Sequence, residues 1–229
     1  MKITHITHSC FVLELEKCIL VFDYYKGELP SFSRDKSIVI FVSHGHYDHY
    51  NESIFKLFKG YEKVFYVISS DIKLEQKEEQ KVYFVDPDQS LTIAEMEIQT
   101  LKSTDEGVAF IVRTEEKSIY HAGDLNWWHW NGEPDDWNQA MEKAYKTEIG
   151  KIKGYQFDVS FVPLDSRLED KYAWGLAYFA ENTCSRYMFP MHFFGNYSVI
   201  KRLKEDSISE KYDNQIIEVE KEGQQWQLN

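Results

Sequence analysis

The stretch SIVIFVSHGHYDH, Ser37 to His49, constrains this chain more than any other: an apolar, β-branched run leads straight into three histidines and an aspartate within six positions. The run reads as a strand. Asn51, whose side-chain oxygen can accept amide hydrogens of a first turn, predicts a helix over ESIFKLFK that Gly60 stops. The histidines therefore sit at a strand end, just before a helix. In extended backbone His44 and His46 project to the same side and can share an ion, and Gly45 between them clears room. Asp48 and His49 can face a second ion as the chain turns toward the helix. Imidazole and carboxylate together suit Zn²⁺, with Mn²⁺ or Fe²⁺ as chemically reasonable rivals. Solvated surface histidines are the alternative, and four potential ligands compressed behind an apolar strand argue against it.

The rest of the chain reads as many short strands followed by alternating strand and helix. Strands are expected at KITHIT, CFVLELE, CILVFD, VFYVIS, KVYFV, MEIQTL, GVAFIVRT and KSIYHA. Trp137, Ala140, Met141, Ala144, Tyr145 and Ile149 recur at helical steps, giving a helix from about Asp136 to Gly150 or Gly154. FDVSFVPL, RYMFPMHF and NQIIEVE follow as strands, with helices over KYAWGLAYFAEN and from about Asn196. This order suggests a layered α/β protein rather than an all-β barrel. No repeat or linker divides the 229 residues, so one domain over 1–229 is expected. Cys10, Cys18 and Cys184 show no CxxC spacing and read as reduced thiols. No run is long enough for a membrane span, and the N-terminus lacks a signal-peptide pattern, so a cytoplasmic protein is expected. A net charge of -12 disfavours a nucleic-acid partner.

HGHYDH matches the HxHxDH signature of the metallo-β-lactamase superfamily, and the chain resembles that family in two further segments. IYHAGDLN is similar to its strand-end GD element and MFPMHF to its late strand-end histidine, while ITHSCFVLELEKCILVFDYY resembles the opening of its cytoplasmic, lactonase-like and uncharacterised branch. The resemblance implies an α+β fold, a four-layer αββα sandwich, and a metal-dependent hydrolase. It implies a first metal at His44 and His46, a second at Asp48, His49 and His192, Asp124 bridging the two, and Asp23 in the outer shell. One departure stands out: the family's third histidine for the first metal has no counterpart, since no histidine lies between His49 and His121. Ser103 falls near its register and Asp105 is the better ligand chemically, with a water as the remaining alternative. Two zinc ions would lower the pKa of a shared water toward neutrality, making hydroxide the nucleophile, with Asp48 orienting it as the catalytic carboxylate. There is no G-x-S-x-G elbow or P-loop to support another mechanism.

Around the site, Trp127, Trp128, Trp130 and Trp137 read mainly as packing, whether within the chain or in a homodimer, with a pocket wall as the alternative. His129 is a candidate proton donor. His8 is read as a structural or outer-shell residue, His121 as a buried hydrogen-bonded histidine, and Tyr50 as packing. Asp165 and Arg167 in PLDSR lie at a strand end, with a salt bridge favoured over an anion contact. The expected activity is hydrolysis of an ester-like, lactone or phosphodiester bond in a small-molecule substrate, without a nucleic-acid or membrane partner. A metal-bearing redox or binding module on the same fold is the rival class.

Overall fold

The computed structural model describes residues 1–74 and 81–229. Two sheets face each other. The first runs in the order β13-β1-β2-β3-β4-β5-β6, where β1 is Lys2–Thr7, β2 Cys10–Glu14, β3 Cys18–Phe22, β4 Ser37–Val42, β5 Val64–Ser69, β6 Lys81–Val85 and β13 Gln225–Gln227. The second runs β12-β11-β10-β9-β8-β7, from β7 Ser90–Ile93, β8 Met96–Lys102, β9 Val108–Thr114 and β10 Lys117–His121 to β11 Gln156–Pro163 and β12 Cys184–Met191. In each sheet the part that carries most of the site is parallel: β3, β4, β5 and β6 in one, β10, β11 and β12 in the other.

Parallel strands are covered on both faces, and the sequence of β4 shows why it can be. Val39 and Phe41 point into the core between the sheets, where Phe41 meets Phe110 at 5.2 Å and Phe11 meets Phe161 at 4.4 Å. Ile38, Ile40 and Val42 point the other way, into a second apolar layer with Ile54 and Phe55 of α1 (Ser53–Leu57). On the far side of the second sheet lie α2 (Asp135–Lys151) and α3 (Trp174–Asn182), with Tyr145, Ile149 and Phe179 buried against it. The layers are thus helix, sheet, sheet, helix. A further helix, α4 (Ser198–Glu205), buries Val199, Ile200 and Leu203. No helix of the described residues is long and apolar enough to cross a membrane.

Several elements differ from the sequence reading, and β7, Ser90–Ile93, has no counterpart in it. NQIIEVE does not form a strand: Ile216 and Val219 are buried, yet only one bridge, Ile216 to Met188, joins the segment to a sheet. The last strand is instead QWQ at 225–227, which pairs antiparallel with β1 and rests Trp226 edge-on against Phe189 at 5.0 Å. The helix expected from Lys171 starts at Trp174, because Ser166–Lys171 is a tight 3₁₀ segment broken by Glu169 at φ 55. The N-cap of α1 is Glu52 rather than Asn51, whose Oδ1 accepts the Ser53 N–H at 2.9 Å from one position earlier.

The loop from β8 to β9 closes tightly on the end of β4. Gly107 has φ +67, and a Cβ there would stand 1.9 Å from the Ser43 carbonyl oxygen. Gly107→Ala is therefore expected to cost more than the roughly 1–3 kcal/mol of a left-handed non-glycine residue. A fall in the urea midpoint at unchanged m-value measures it.

Candidate metal centre

The side chains of interest all follow the carboxyl ends of strands that point the same way, which is where layered α/β folds gather ligand-binding groups. His8 follows β1, Asp23 follows β3, His44 to His49 follow β4, Asp124 follows β10, Asp165 follows β11 and His192 follows β12. Three of these strands exit by the same device. The next residue takes a left-handed conformation, with φ 49 at His8, 47 at Asp23 and 65 at His192. Such a residue costs about 1–3 kcal/mol and persists where the surroundings hold it, commonly at functional sites. Here each one turns a polar side chain inward at the seam between the sheets.

The chain brings together two clusters of ligand atoms. In one, His44, His46 and Asp124 lie with their atoms within 4.8 Å of one another; in the other, His8, Asp48, His49 and His192 do the same. Asp124 joins them. Its Oδ2 is 3.4 Å from His44 Nε2, and its Oδ1 is 3.2 Å from His49 Nε2 and 3.3 Å from His192 Nε2. Asp124 Oδ1 and His49 Nε2 are buried without an aligned hydrogen-bond partner, so they converge on a common point without satisfying each other. Buried polar atoms in that state call for an explanation, and a divalent cation between them supplies one. Asp105 stands beside the first cluster, its Oδ2 3.8 Å from His46 Nδ1, and Glu106 Oε2 approaches His46 Nε2 at 3.5 Å. Ser103 is buried, and its Oγ accepts the Asp105 N–H at 3.1 Å.

Behind these atoms two carboxylates and a serine hydroxyl fix the imidazoles, as the outer partners of metal-ligating histidines do. Asp23 is fully buried and accepts from the Ser43 N–H and Oγ at 2.7 Å each and from His49 Nδ1 at 2.8 Å. Ser43 Oγ lies 2.9 Å from His44 Nδ1. Asp165 Oδ2 lies 3.1 Å from His192 Nδ1, and the same carboxylate grips Arg167. With its Nδ1 side so occupied, each of His44, His49 and His192 turns Nε2 to the centre. His121 is buried and hydrogen-bonded, Nε2 to the Ser9 carbonyl at 2.9 Å and Nδ1 to the Gly123 N–H at 3.2 Å, and it stacks on Phe22.

The electrostatics follow from this crowding. Burial opposes ionisation of Asp124, but His49 and His192 outweigh it and hold its carboxyl well below the usual carboxylate range. Burial likewise disfavours a charged His49, yet Asp124 and Asp23 outweigh it and raise the imidazole. His192 is raised against burial by Asp124 and Asp165. Protons on these imidazoles offset the buried carboxylates, and a divalent cation can take their place.

A cleft of about 420 Å³ opens onto the clusters. Trp128, Trp130, Trp137, Met141 and Phe194 wall it, and Tyr47, 80% exposed, stands at its mouth. The tryptophans thus divide between two roles. Trp127 packs against Trp174 at 5.0 Å, whereas Trp128 stacks parallel to Trp130 and donates its indole N–H to the Asp124 carbonyl at 3.0 Å. His129 packs edge-on against Trp174 at 5.0 Å and does not line this cleft. Tyr50 packs with the layer under α1. Arg167 takes the salt bridge that was favoured, to Asp165, and its guanidinium lies over the Phe194 ring at 4.3 Å on the cleft wall. Asp165 as the partner of His192 and His8 inside the cluster were not drawn from the sequence; the strand-end position of both was the available signal.

Comparison with known proteins bears on the family and the fold. A family model described as the β-lactamase superfamily domain matches residues 2–129. A stretch of 58 residues is 41% identical to a UPF0173 metal-dependent hydrolase of Opitutus terrae, spanning 24% of this chain and only 26% of that protein. Among solved structures, Igni18, a metallo hydrolase from Ignicoccus hospitalis, superposes with a TM-score of 0.65 at 14% identity over 100% of this chain and 99% of its own. A structure named as a metal-dependent hydrolase of Parabacteroides distasonis gives 0.65 at 15% identity over 95% and 92%. The diiron β-hydroxylase CmlA of Streptomyces venezuelae gives 0.61 at 12% identity, over 99% of this chain and 54% of its own. These structural likenesses are of fold. Since the family model covers more than half of the 229 residues and the sandwich is matched end to end, this chain belongs to the β-lactamase superfamily.

Proposed function

We propose that the protein is a metal-dependent hydrolase that cleaves an ester-like, lactone or phosphodiester bond in a small molecule, with zinc as its metal. The observation that carries this reading is the meeting of Asp124 and His192, from the second sheet, with the HGHYDH ligands of the first around atoms that have no other partner. His44, His46 and Asp124 would hold one ion, with Asp105 in reach; Asp48, His49, His192 and Asp124 would hold the other. Such ions supply Lewis acidity and a water acidified toward neutral pH. The chain's own part is orientation. Asp48 lines the cleft and is placed to accept a proton or a hydrogen bond at its floor, and the aromatic wall excludes water from one side of a bound substrate. A cleft of this size fits a small molecule rather than a polymer. The name of the Opitutus terrae relative is in keeping with this class of reaction.

The test is metal analysis joined to turnover. The purified protein should carry zinc and cleave bis-p-nitrophenyl phosphate or a lactone, and Asp48→Ala should lower kcat by about 10²–10⁴-fold, the range for loss of a positioned acid–base group. Iron in the clusters with oxygen consumption and no hydrolysis would move the assignment to redox chemistry, as in the diiron β-hydroxylase of the same fold. Full turnover by Asp48→Ala would remove Asp48 from the reaction.

A further inference from the structure

We propose that His8 is a direct ligand of the metal held by Asp48, His49 and His192, so that this position is built from three imidazoles rather than two. The inference rests on the reading that these clusters hold divalent cations, and not on the reaction they run.

His8 is 97% buried and neither ring nitrogen has a hydrogen-bond partner. An imidazole left so in a protein interior forfeits the hydrogen bonds it made to water, at about 1–3 kcal/mol for each unsatisfied group. The other buried histidines show how the chain normally avoids this. His121 uses both nitrogens, while His44, His49 and His192 each give Nδ1 to a serine or carboxylate. His8 does neither. Its Nε2 lies 3.5 Å from Asp48 Oδ2, and its ring sits 4.3 Å from that of His192 and 5.4 Å from that of His49. Its donor atom falls within 4.8 Å of those of Asp48, His49 and His192, close to the roughly 3–4 Å between ligands that share one ion at about 2.0–2.2 Å.

The backbone tells the same story. His8 leaves β1 in the left-handed conformation that His192 uses to leave β12. Packing alone does not call for this, since a histidine in that conformation is strained and its ring reaches no hydrogen-bond partner. What the turn achieves is to aim the ring into the cluster. The consequence is an asymmetric pair: the first position has His44, His46 and Asp124, while the second has three imidazoles and Asp48 with Asp124 shared.

The experiment compares wild type with His8→Phe, which keeps a ring against His192 and Phe194, and His8→Gly, for which the left-handed turn carries no strain. Cobalt is added to the metal-stripped proteins and followed by its visible absorption and by chelator competition. Wild type should hold one equivalent tightly. Both variants should bind that equivalent at least about 100-fold more weakly, at or beyond the loss typical of an outer-shell partner. Free imidazole should restore the wild-type spectrum in His8→Gly but not in His8→Phe, and X-ray absorption should count one imidazole fewer on the ion in His8→Phe. Thermal unfolding of the metal-free proteins should show His8→Phe as stable as wild type or more so, because the unsatisfied ring nitrogens are gone. Unchanged cobalt affinity and spectrum in both variants would overturn the assignment of His8 alone. Wild type that binds no cobalt or zinc would overturn it together with the metal-centre reading.

Discussion

Asp124→Asn is expected to release metal from both clusters at once. This side chain faces both sets: one oxygen faces His44, and the other faces His49 and His192. Asparagine keeps the shape but offers one neutral oxygen in place of two charged ones, and its amide N–H₂ would point a donor at the imidazoles or the cation. The loss in affinity should exceed the 10- to 100-fold expected for an outer-shell partner. Chelator competition at fixed pH measures it, and turnover should fall with metal content. The metal-free protein should respond as well. His49 and His192 have their protonation raised mainly by this carboxylate, so breaking these buried pairs should cost about 3–5 kcal/mol at a pH where both imidazoles are charged. Retention of two ions by Asp124→Asn would disprove the bridge.

Asp23→Ala should have the second largest effect, and chiefly on folding. Asp23 touches no cleft, yet it is fully buried and takes hydrogen bonds from Ser43 N–H, Ser43 Oγ and His49 Nδ1. Burial opposes its charge, but His121 and His49 outweigh it and hold the carboxyl low, so it is ionised. Truncation leaves three donors facing a cavity and takes from the buried His49 imidazole one of its two carboxylate partners, Asp124 being the other. Breaking a buried charge pair costs about 3–5 kcal/mol, a large part of a typical domain's stability. Urea unfolding reads this loss directly. Metal affinity should fall about 10- to 100-fold in whatever fraction still folds, because His49 loses the partner that fixes its ring. An effect below 1 kcal/mol would mean that water replaces the carboxylate at no penalty.

How far the sequence revealed this molecule depended on distance along the chain. His44, His46, Asp48 and His49 were legible because one short turn places them, and β4 before them has a run of apolar residues that few other structures accommodate. Asp124 and His192 are remote, and only the resemblance of GDLN and MFPMHF to family elements linked them to the cluster. Asp165 was seen as a strand-end residue and His8 as a structural or outer-shell one, but not their partners, because partners are set by the register of strands far apart in sequence. NQIIEVE was misread for a different reason. Its apolar residues earn burial by packing against the second sheet's edge rather than by a full ladder, and a hydrophobic pattern does not distinguish the two. QWQ escaped notice because a three-residue polar strand is held by β1 and one tryptophan, not by its own composition. The tryptophans after Asp124 look alike in sequence, and only the fold separates the one that packs on Trp174 from those that face the cleft.

The clustered imidazoles and carboxylates straddle a seam, and this gives the centre a place in time as well as in space. Chains emerge from the ribosome N-terminal end first. His8 and His44 to His49 are thus made early, while the strand that delivers His192 comes after almost the whole of both sheets. A nascent chain can therefore bear most of the chelating groups with nothing yet opposite them. The finished centre is a product of the last strands docking, and a cation arriving then would clasp early and late segments together.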